Sequence, residues 1–250
     1  MDLGLRDKVV LVTGGSGEIG RAIGLAVAAE GAKVAVAYHS SRAKAEALVR
    51  EIEAASGSAI FQQVDLSSGA SVQTAVHDIT ERWGTVDVLV NNAVAPNWFG
   101  FQAERAELSR WDEMLRVSLT GAFLCCAACI PYMKANHWGR IVNVSSMIAL
   151  SGLEGSCHYG AAKAGLIGLT KSLARDVGRD GILVNAVAPR LVLTEVYQGA
   201  QRQSLIEKYR AENPLGRAAE PDDVARVILF LASGWNTYVN GEVVEVSGGM

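Results

Sequence analysis

Short apolar runs alternate with longer amphipathic stretches from one end of the chain to the other. Residues 8–12 read as a short buried strand, and 33–38, 60–64, 86–90, 141–144, 182–187 and 242–246 read the same way. Strands of a parallel sheet are covered on both faces, so they are apolar nearly throughout rather than at every second position. Between them, 19–30, 42–55, 70–83, 107–136, 159–177 and 224–232 carry apolar residues at helical spacing, with Arg50 and Glu51 outward in the second. The 107–136 segment predicts one long helix, stopped near Asn136 with Gly139 beyond. Strands alternating with helices imply βαβ units. The expectation is therefore one α/β domain spanning 1–250, with a doubly wound, parallel seven-stranded sheet and helices on both faces. No short-period repeat interrupts it. Residues 190–214 break the rhythm: they are polar towards their end, lack a clear strand, and offer a short helix at 204–210. A loop of this length inside a compact domain is commonly functional.

Composition narrows the partners. The chain has 250 residues, 50% of them hydrophobic, with only 5 prolines and no linker-like stretch, which suits one domain with a large core. A net charge of −3 without a Lys/Arg cluster argues against a nucleic-acid partner. The first residues, MDLGLRDK, have no apolar core, so no signal peptide is expected. The longest nearly apolar run, 117–130, is too short to span a bilayer, so no membrane partner and a cytoplasmic protein are expected. Cys125, Cys126, Cys129 and Cys157 lack a histidine at ligand-like spacing; they are expected to be small buried hydrophobes in a reduced compartment, with no metal site.

Candidate chemistry lies in two places. Tyr159 and Lys163 are four residues apart in a helix-like run, so both side chains leave one face. An ammonium beside a phenol favours the phenolate and is expected to lower the tyrosine pKa, fitting it for proton transfer to an oxygen. Ser146 follows the 141–144 strand, at the strand end where open α/β sheets hold their ligands. The second place is the turn after the first strand, Thr13-Gly14-Gly15-Ser16-Gly17-Glu18-Ile19-Gly20. Gly15, Gly17 and Gly20 satisfy the dinucleotide fingerprint G-x-G-x-x-G of Rossmann folds, in which glycines admit the pyrophosphate backbone-close and the helix N-terminus supplies N–H donors. At the end of the second strand an NAD site has a carboxylate for the ribose. Here the chain reads Tyr38-His39-Ser40-Ser41-Arg42, without one. Two hydroxyls, an imidazole and a guanidinium suit a 2′-phosphate, so NADP(H) is the expected cofactor.

The order Ser146, Tyr159-x-x-x-Lys163 after a glycine-rich first turn resembles the short-chain dehydrogenase/reductase family, over essentially the whole chain to Ser247-Gly248-Gly249. The resemblance implies that Ser146 bonds the substrate carbonyl, Tyr159 donates its proton as hydride arrives, and Lys163 holds the ribose and tunes the phenol. It implies a cofactor site of Gly14, Gly15, Ser16, Gly17, Ile19 and Gly20 at the phosphates, and His39, Ser40, Ser41 and Arg42 at the ribose. Asp65 and Leu66 would flank adenine; Asn92 and Ala93, Tyr159 and Lys163, and Pro189, Arg190, Val192 and Thr194 would line the rest. The 190–214 stretch becomes a substrate lid. Asn91 would brace the fold.

Four positions depart from the family pattern: Glu18 and Val94 each replace a glycine, Arg190 follows Pro189 where glycine is usual, and Ser118 replaces the fourth catalytic residue, an asparagine. Ser118 keeps a donor and an acceptor, so either it still holds a relay water near Lys163 or the relay is broken. Trp98, Phe99, Phe101 and Tyr197 are large side chains around the expected substrate site, suited to a ring-bearing ketone or to lid packing. The expectation is an NADPH-dependent ketoreductase, acting on a polyketide or other specialised ketone. A 3-oxoacyl-carrier-protein reductase and a catalytically impaired NADP-binding sensor or scaffold are the alternatives. The resemblance also implies a homotetramer, or a dimer, through apolar faces at 119–130 and 161–173.

Overall fold

Runs of Val, Ile and Ala form the strands, because branched side chains fit a pleated surface covered on both sides. In the computed structural model, which describes residues 2–250, these are β1 (Val9–Thr13), β2 (Lys33–Tyr38), β3 (Ser58–Gln63), β4 (Val88–Asn91), β5 (Gly139–Val144), β6 (Ile182–Pro189) and β7 (Val243–Val246). They form one sheet in the order β3-β2-β1-β4-β5-β6-β7, with every pair parallel. The doubly wound single-domain expectation holds. The strand order reverses between β1 and β4, which opens a crevice at the carboxyl ends of those strands, the ligand position of such sheets. Thr13 lies opposite Asn91, and Asn91 opposite Asn143, so these polar residues form a row along that edge.

Helices α1 (Glu18–Ala29), α2 (Arg42–Ala54) and α3 (Gly69–Trp83) connect the first four strands. α1, α2 and α9 (Pro221–Ala232) contribute to an apolar core on one face of the sheet, with Val10, Val34 and Ile228 inside it. On the other face lie Leu11, Ile79, Leu89, Ile141 and the thiols of Cys125, Cys126 and Cys129. Burial pushes all three thiols up, Cys126 to about 12, so they act as inert small hydrophobes; Cys157 is exposed. A short α6 (Ile148–Ser151) precedes α7 (Cys157–Val177).

Two expectations change in detail. The single helix expected over 107–136 is α4 (Leu108–Leu115), a widened π-helical turn (Arg116–Thr120) and α5 (Gly121–Ala135) in continuous register. The widened turn carries Ser118, and π-bulges of this kind cluster at functional sites. As one rod of 28 residues, Leu108–Ala135 is long and apolar enough to cross a membrane, contrary to the reading of the shorter 117–130 run. Here α5 is laid instead against α3, β4 and β5. Within residues 190–214, the expected short helix is α8 (Gly199–Glu212), longer than 204–210 because its polar sequence gives little periodic signal.

Gly121 is the point of closest approach between the long helix and the crevice: a Cβ there would lie 2.7 Å from Leu66 Cβ and 2.9 Å from Leu66 O. The backbone oxygen cannot yield cheaply, so the gain in helix propensity from alanine is outweighed by overpacking. Gly121→Ala is expected to lower stability by about 1–2 kcal/mol, read as a shifted urea midpoint with unchanged slope.

Candidate active site

The Thr13 hydroxyl begins the cofactor crevice. It donates to Val90 O (3.3 Å) and accepts from the N–H groups of Asn92 (3.1 Å) and Ala93 (3.2 Å). Asn92 Nδ2 returns to Thr13 O and Gly14 O, both at 3.1 Å. These bonds lock the ends of β1 and β4 together. One step along the sheet, Asn91 Nδ2 donates to Asn143 Oδ1 at 2.9 Å, so Asn91 braces β4 on β5 as expected.

The glycine turn is packed to its limit. Gly14 adopts φ 61°, and a Cβ on it would lie 2.9 Å from Ala93 Cα. A Cβ on Gly15 would lie 2.9 Å from Val36 Cγ1, and one on Gly20 would collide with Gly14 O. Gly17 is the N-cap of α1 and offers no side-chain acceptor to the first helical N–H groups, which therefore stay open to an anion. This cradle fits the pyrophosphate of a dinucleotide. Glu18 does not obstruct it: its Oε1 accepts from Glu195 N at 2.6 Å. The carboxylate of Glu195 reaches Lys44 Nζ at 3.1 Å, so the segment after β6 is tied to both α1 and α2.

Arg42 stands where a 2′-phosphate is expected. Its Nε bonds Glu46 at 2.7 Å, which holds it fully charged, and its guanidinium lies 5.3 Å from the Phe61 ring centre. Both Nη nitrogens remain without an acceptor among the described residues. Asp65, on the loop after β3, accepts from Ser67 N (2.8 Å) and Ser67 Oγ (2.7 Å), and these bonds hold its carboxyl below the usual range. Leu66 beside it is buried.

At the end of β5 the structure brings together Ser146, Tyr159 and Lys163. Lys163 is 2% exposed. Its Nζ donates to Val144 O at 2.6 Å and lies 5.7 Å from the Tyr159 ring centre. Ser145 Oγ donates to Lys163 O at 2.9 Å, a second stitch between β5 and α7. Burial pushes the Lys163 ammonium down to about 8. Tyr159 shifts upward, not downward as the spacing suggested. Burial of its hydroxyl is the largest cause, opposed by a hydrogen bond to Ser146 and reinforced by nearby Tyr197. The spacing argument counted the cation and left out the desolvation that the same helix face imposes on both groups.

Ser118 is buried on the widened turn, but its hydroxyl is engaged elsewhere: it accepts from Ala95 N at 3.0 Å and donates to Met114 Sδ at 3.3 Å. No hydrogen bond joins it to Lys163 among the described residues. Arg190 borders a separate cavity of about 190 Å³ with Tyr209, Asn213 and Ser247. Val192 is buried and bridges to Ala219, while Thr194 O accepts from Arg202 in α8. Val94 is exposed. Sequence reasoning missed Lys44 and Glu195, for which no motif exists, and Arg110, which reaches the loop beside the site as described below.

A family model described as Enoyl-(Acyl carrier protein) reductase matches residues 15–250. The chain is 39% identical to the 3-oxoacyl-(acyl-carrier-protein) reductase FabG of Aquifex aeolicus over 251 residues, covering 100% of both chains. It is 38% identical to the enzyme of that name in Staphylococcus epidermidis, over 98% of this chain and 99% of the relative. A 3-oxoacyl-(acyl-carrier-protein) reductase of Synechocystis is 37% identical, over 98% of each. The chain belongs to the short-chain dehydrogenase/reductase family. It is an NADP-dependent oxidoreductase acting between C=O and CH–OH groups.

Two outcomes follow from this geometry. Below about pH 8 Lys163 is charged in folded and unfolded chains alike, and folding bears the whole cost of burying it. Between about 8 and the unfolded value of 10.5 the folded chain loses the proton first, so this cost fades. Urea titrations of the native chain and Lys163→Met should show their stability difference moving in favour of the native chain as pH rises through that window. Separately, Glu18→Gly removes the acceptor at Glu195 N. Proteolysis within residues 190–214 should become roughly two- to tenfold faster, and Glu18→Gln, which keeps an acceptor, should stay near native.

Proposed function

We propose that the chain reduces the keto group of a 3-oxoacyl thioester to a secondary alcohol, with NADPH as the reductant. The observation that carries this reading is the full-length similarity to relatives named 3-oxoacyl-(acyl-carrier-protein) reductases, joined to Ser146 and Tyr159 brought together beside a buried lysine. When bound, NADPH supplies the hydride. Ser146 donates a hydrogen bond to the substrate carbonyl and orients it. Tyr159, held protonated by its raised pKa, gives its proton to the oxygen as negative charge develops there. Lys163 stabilises the phenolate left behind and holds the ribose hydroxyls. In this reading Ser118 positions the Ala95 end of the loop, and a relay role through water would need its hydroxyl to exchange partners.

NADPH is favoured over NADH because Arg42 is presented where no carboxylate competes for the ribose from the strand end, although Glu46 must share it. The remaining cofactor contacts are those expected from the motif: Gly14, Gly15, Ser16, Gly17, Ile19 and Gly20, His39 to Arg42, Asp65 and Leu66, Asn92 and Ala93, and Pro189 to Thr194. The 190–214 segment is the substrate lid. A cytoplasmic homotetramer or dimer completes the reading; half-exposed Phe123 on α5 supports an apolar contact there.

A second reading is a ring-bearing ketone of specialised metabolism. It is supported by Trp98, whose indole lies 5.5 Å from the Tyr159 ring and narrows the entrance beside the reacting oxygen.

NADPH oxidation by the purified chain, followed with a 3-oxoacyl thioester, a bicyclic ketone and NADH as control, separates the readings. Turnover of the thioester is expected, with NADPH preferred. Tyr159→Phe should lose at least about a hundredfold in kcat while binding NADPH nearly as well. Native-like turnover in that variant would remove Tyr159 from the mechanism, and cofactor binding without turnover of any ketone would make the chain a binding protein.

A further inference from the structure

Residues 94–101 leave β4 and pass the mouth of the site. Two of them adopt left-handed backbone, Asn97 (φ 56°) and Gly100 (φ 73°). A non-glycine residue keeps that conformation only where its surroundings impose it. Here the Asn97 carbonyl oxygen accepts from two helices: Arg110 Nη2 of α4 at 3.0 Å and His158 Nε2 of α7 at 3.1 Å. Arg110 Nη2 also reaches Phe99 O at 3.3 Å. A carbonyl only accepts, so His158 carries its proton on Nε2 and leaves Nδ1 bare. Phe101 stacks on the His158 ring at 4.2 Å and 13°, and the Arg110 guanidinium lies 5.5 Å from the Phe101 ring centre. Between these anchored ends stands Trp98, against Tyr159.

We infer that Arg110 and His158 form a clamp that positions Trp98 against Tyr159 and so fixes one wall of the substrate pocket. Both act as positioning residues for the reaction proposed above, and the inference rests on that reading for its kinetic consequence. The clamp is a poor device for stability alone. Arg110 Nε and His158 Nδ1 are buried with no hydrogen-bond partner, and Ser156 Oγ, two residues before His158, is likewise unpaired. Unpaired polar atoms in a dry environment weaken a fold, so native chains rarely keep them without another use. Their use here is geometric. His158 directly precedes Tyr159, and α4 packs on α7, so the loop is referenced to the helix that carries the proton donor. A wall fixed in that frame offers the substrate a preformed surface beside Tyr159, so loosening it weakens binding before it slows the chemical step.

The test compares the native chain with His158→Phe, Arg110→Met and Arg110→Lys. Phenylalanine keeps the stack on Phe101 but cannot donate to Asn97 O; lysine keeps the charge and one donor. Three quantities are read: amide hydrogen exchange over 97–101, melting temperature, and KM and kcat with a 3-oxoacyl thioester. In His158→Phe, loop exchange should rise roughly tenfold with the melting temperature kept or raised. KM should rise about three- to tenfold with kcat within about twofold. Arg110→Lys should fall between native and Arg110→Met. Unchanged loop exchange and KM in His158→Phe and Arg110→Met would overturn the clamp, as would a lowered melting temperature with unchanged KM. Should the native chain reduce no ketone, the proposed function fails; loop exchange then decides the clamp alone, faster sustaining it and unchanged rejecting it.

Discussion

The 2.6 Å bond from the Lys163 ammonium to the Val144 carbonyl is the constraint on which the site depends. It takes the last carbonyl of β5 and gives it to the middle of a helix. With Ser145 Oγ on Lys163 O, it fixes how far α7 can slide or rotate on the sheet. Deeper along the same contact, Asn143 Nδ2 donates to Thr170 Oγ1, and Thr170 donates to Leu166 O. Four residues before Lys163, Tyr159 is thereby set over Ser146. The bond is costly, since a buried ammonium with a single neutral acceptor pulls its own pKa down to about 8. A chain selected for stability alone would place an apolar side chain there. In the proposed reaction the lysine's charge stabilises the phenolate that burial of Tyr159 otherwise disfavours.

Much of this was legible in the sequence. The seven apolar runs and the helices between them fixed a parallel sheet, because strands covered on both faces have no polar alternation to show. Tyr159, Lys163 and Ser146 were legible because their geometry is local: one helix face and one strand end. Three kinds of information were not. The widened turn around Ser118 leaves the apolar period of 107–136 intact, so nothing in the pattern announces it. The direction of the Tyr159 shift depends on desolvation, which is a property of the packed state, whereas the lysine at four residues is a property of the sequence. The Lys44–Glu195 pair joins segments far apart in the chain, and Arg110 reaches back to backbone carbonyls of a loop; these are residue types that are ordinarily solvated, and no spacing rule finds such bonds.

The four departures from the family pattern each find a separate local accommodation. Glu18 would repel a pyrophosphate if it faced the cradle, but it leaves by way of Gly17 and becomes the acceptor for a lid N–H. Val94 points its apolar surface outward. Arg190 follows Pro189 without left-handed backbone, so the glycine usual there is not required by conformation in this chain, and its long side chain borders a cavity beneath α8. Ser118 accepts from Ala95 N with its hydroxyl oxygen and so secures the near end of the loop that Arg110 and His158 hold further along.

That convergence sets the order in which stability and function are weighed. At the sheet, every neighbouring pair of strands is parallel and in register, and most of the side chains between the layers are apolar. Around the mouth, the chain tolerates a strained Asn97, orphaned nitrogens on Arg110 and His158, and a lysine held in a dry pocket. Each lowers stability locally, and each is tied to a helix packed in the body of the fold, Asn97 through its bonds to α4 and α7. A rigid scaffold is what permits such strain to persist, because relaxing it would require moving α4 off α7 or α7 off the sheet. Residues 190–214 are held differently: Leu193 and Tyr209 are buried in a small apolar cluster of their own, Asn213 donates to Ser247 O, and Glu195 reaches α1 and α2 through bonds near the surface. The mouth thus sets a loop referenced to α4 and α7 beside a segment packed on its own small core, and Tyr159 stands against the first of them.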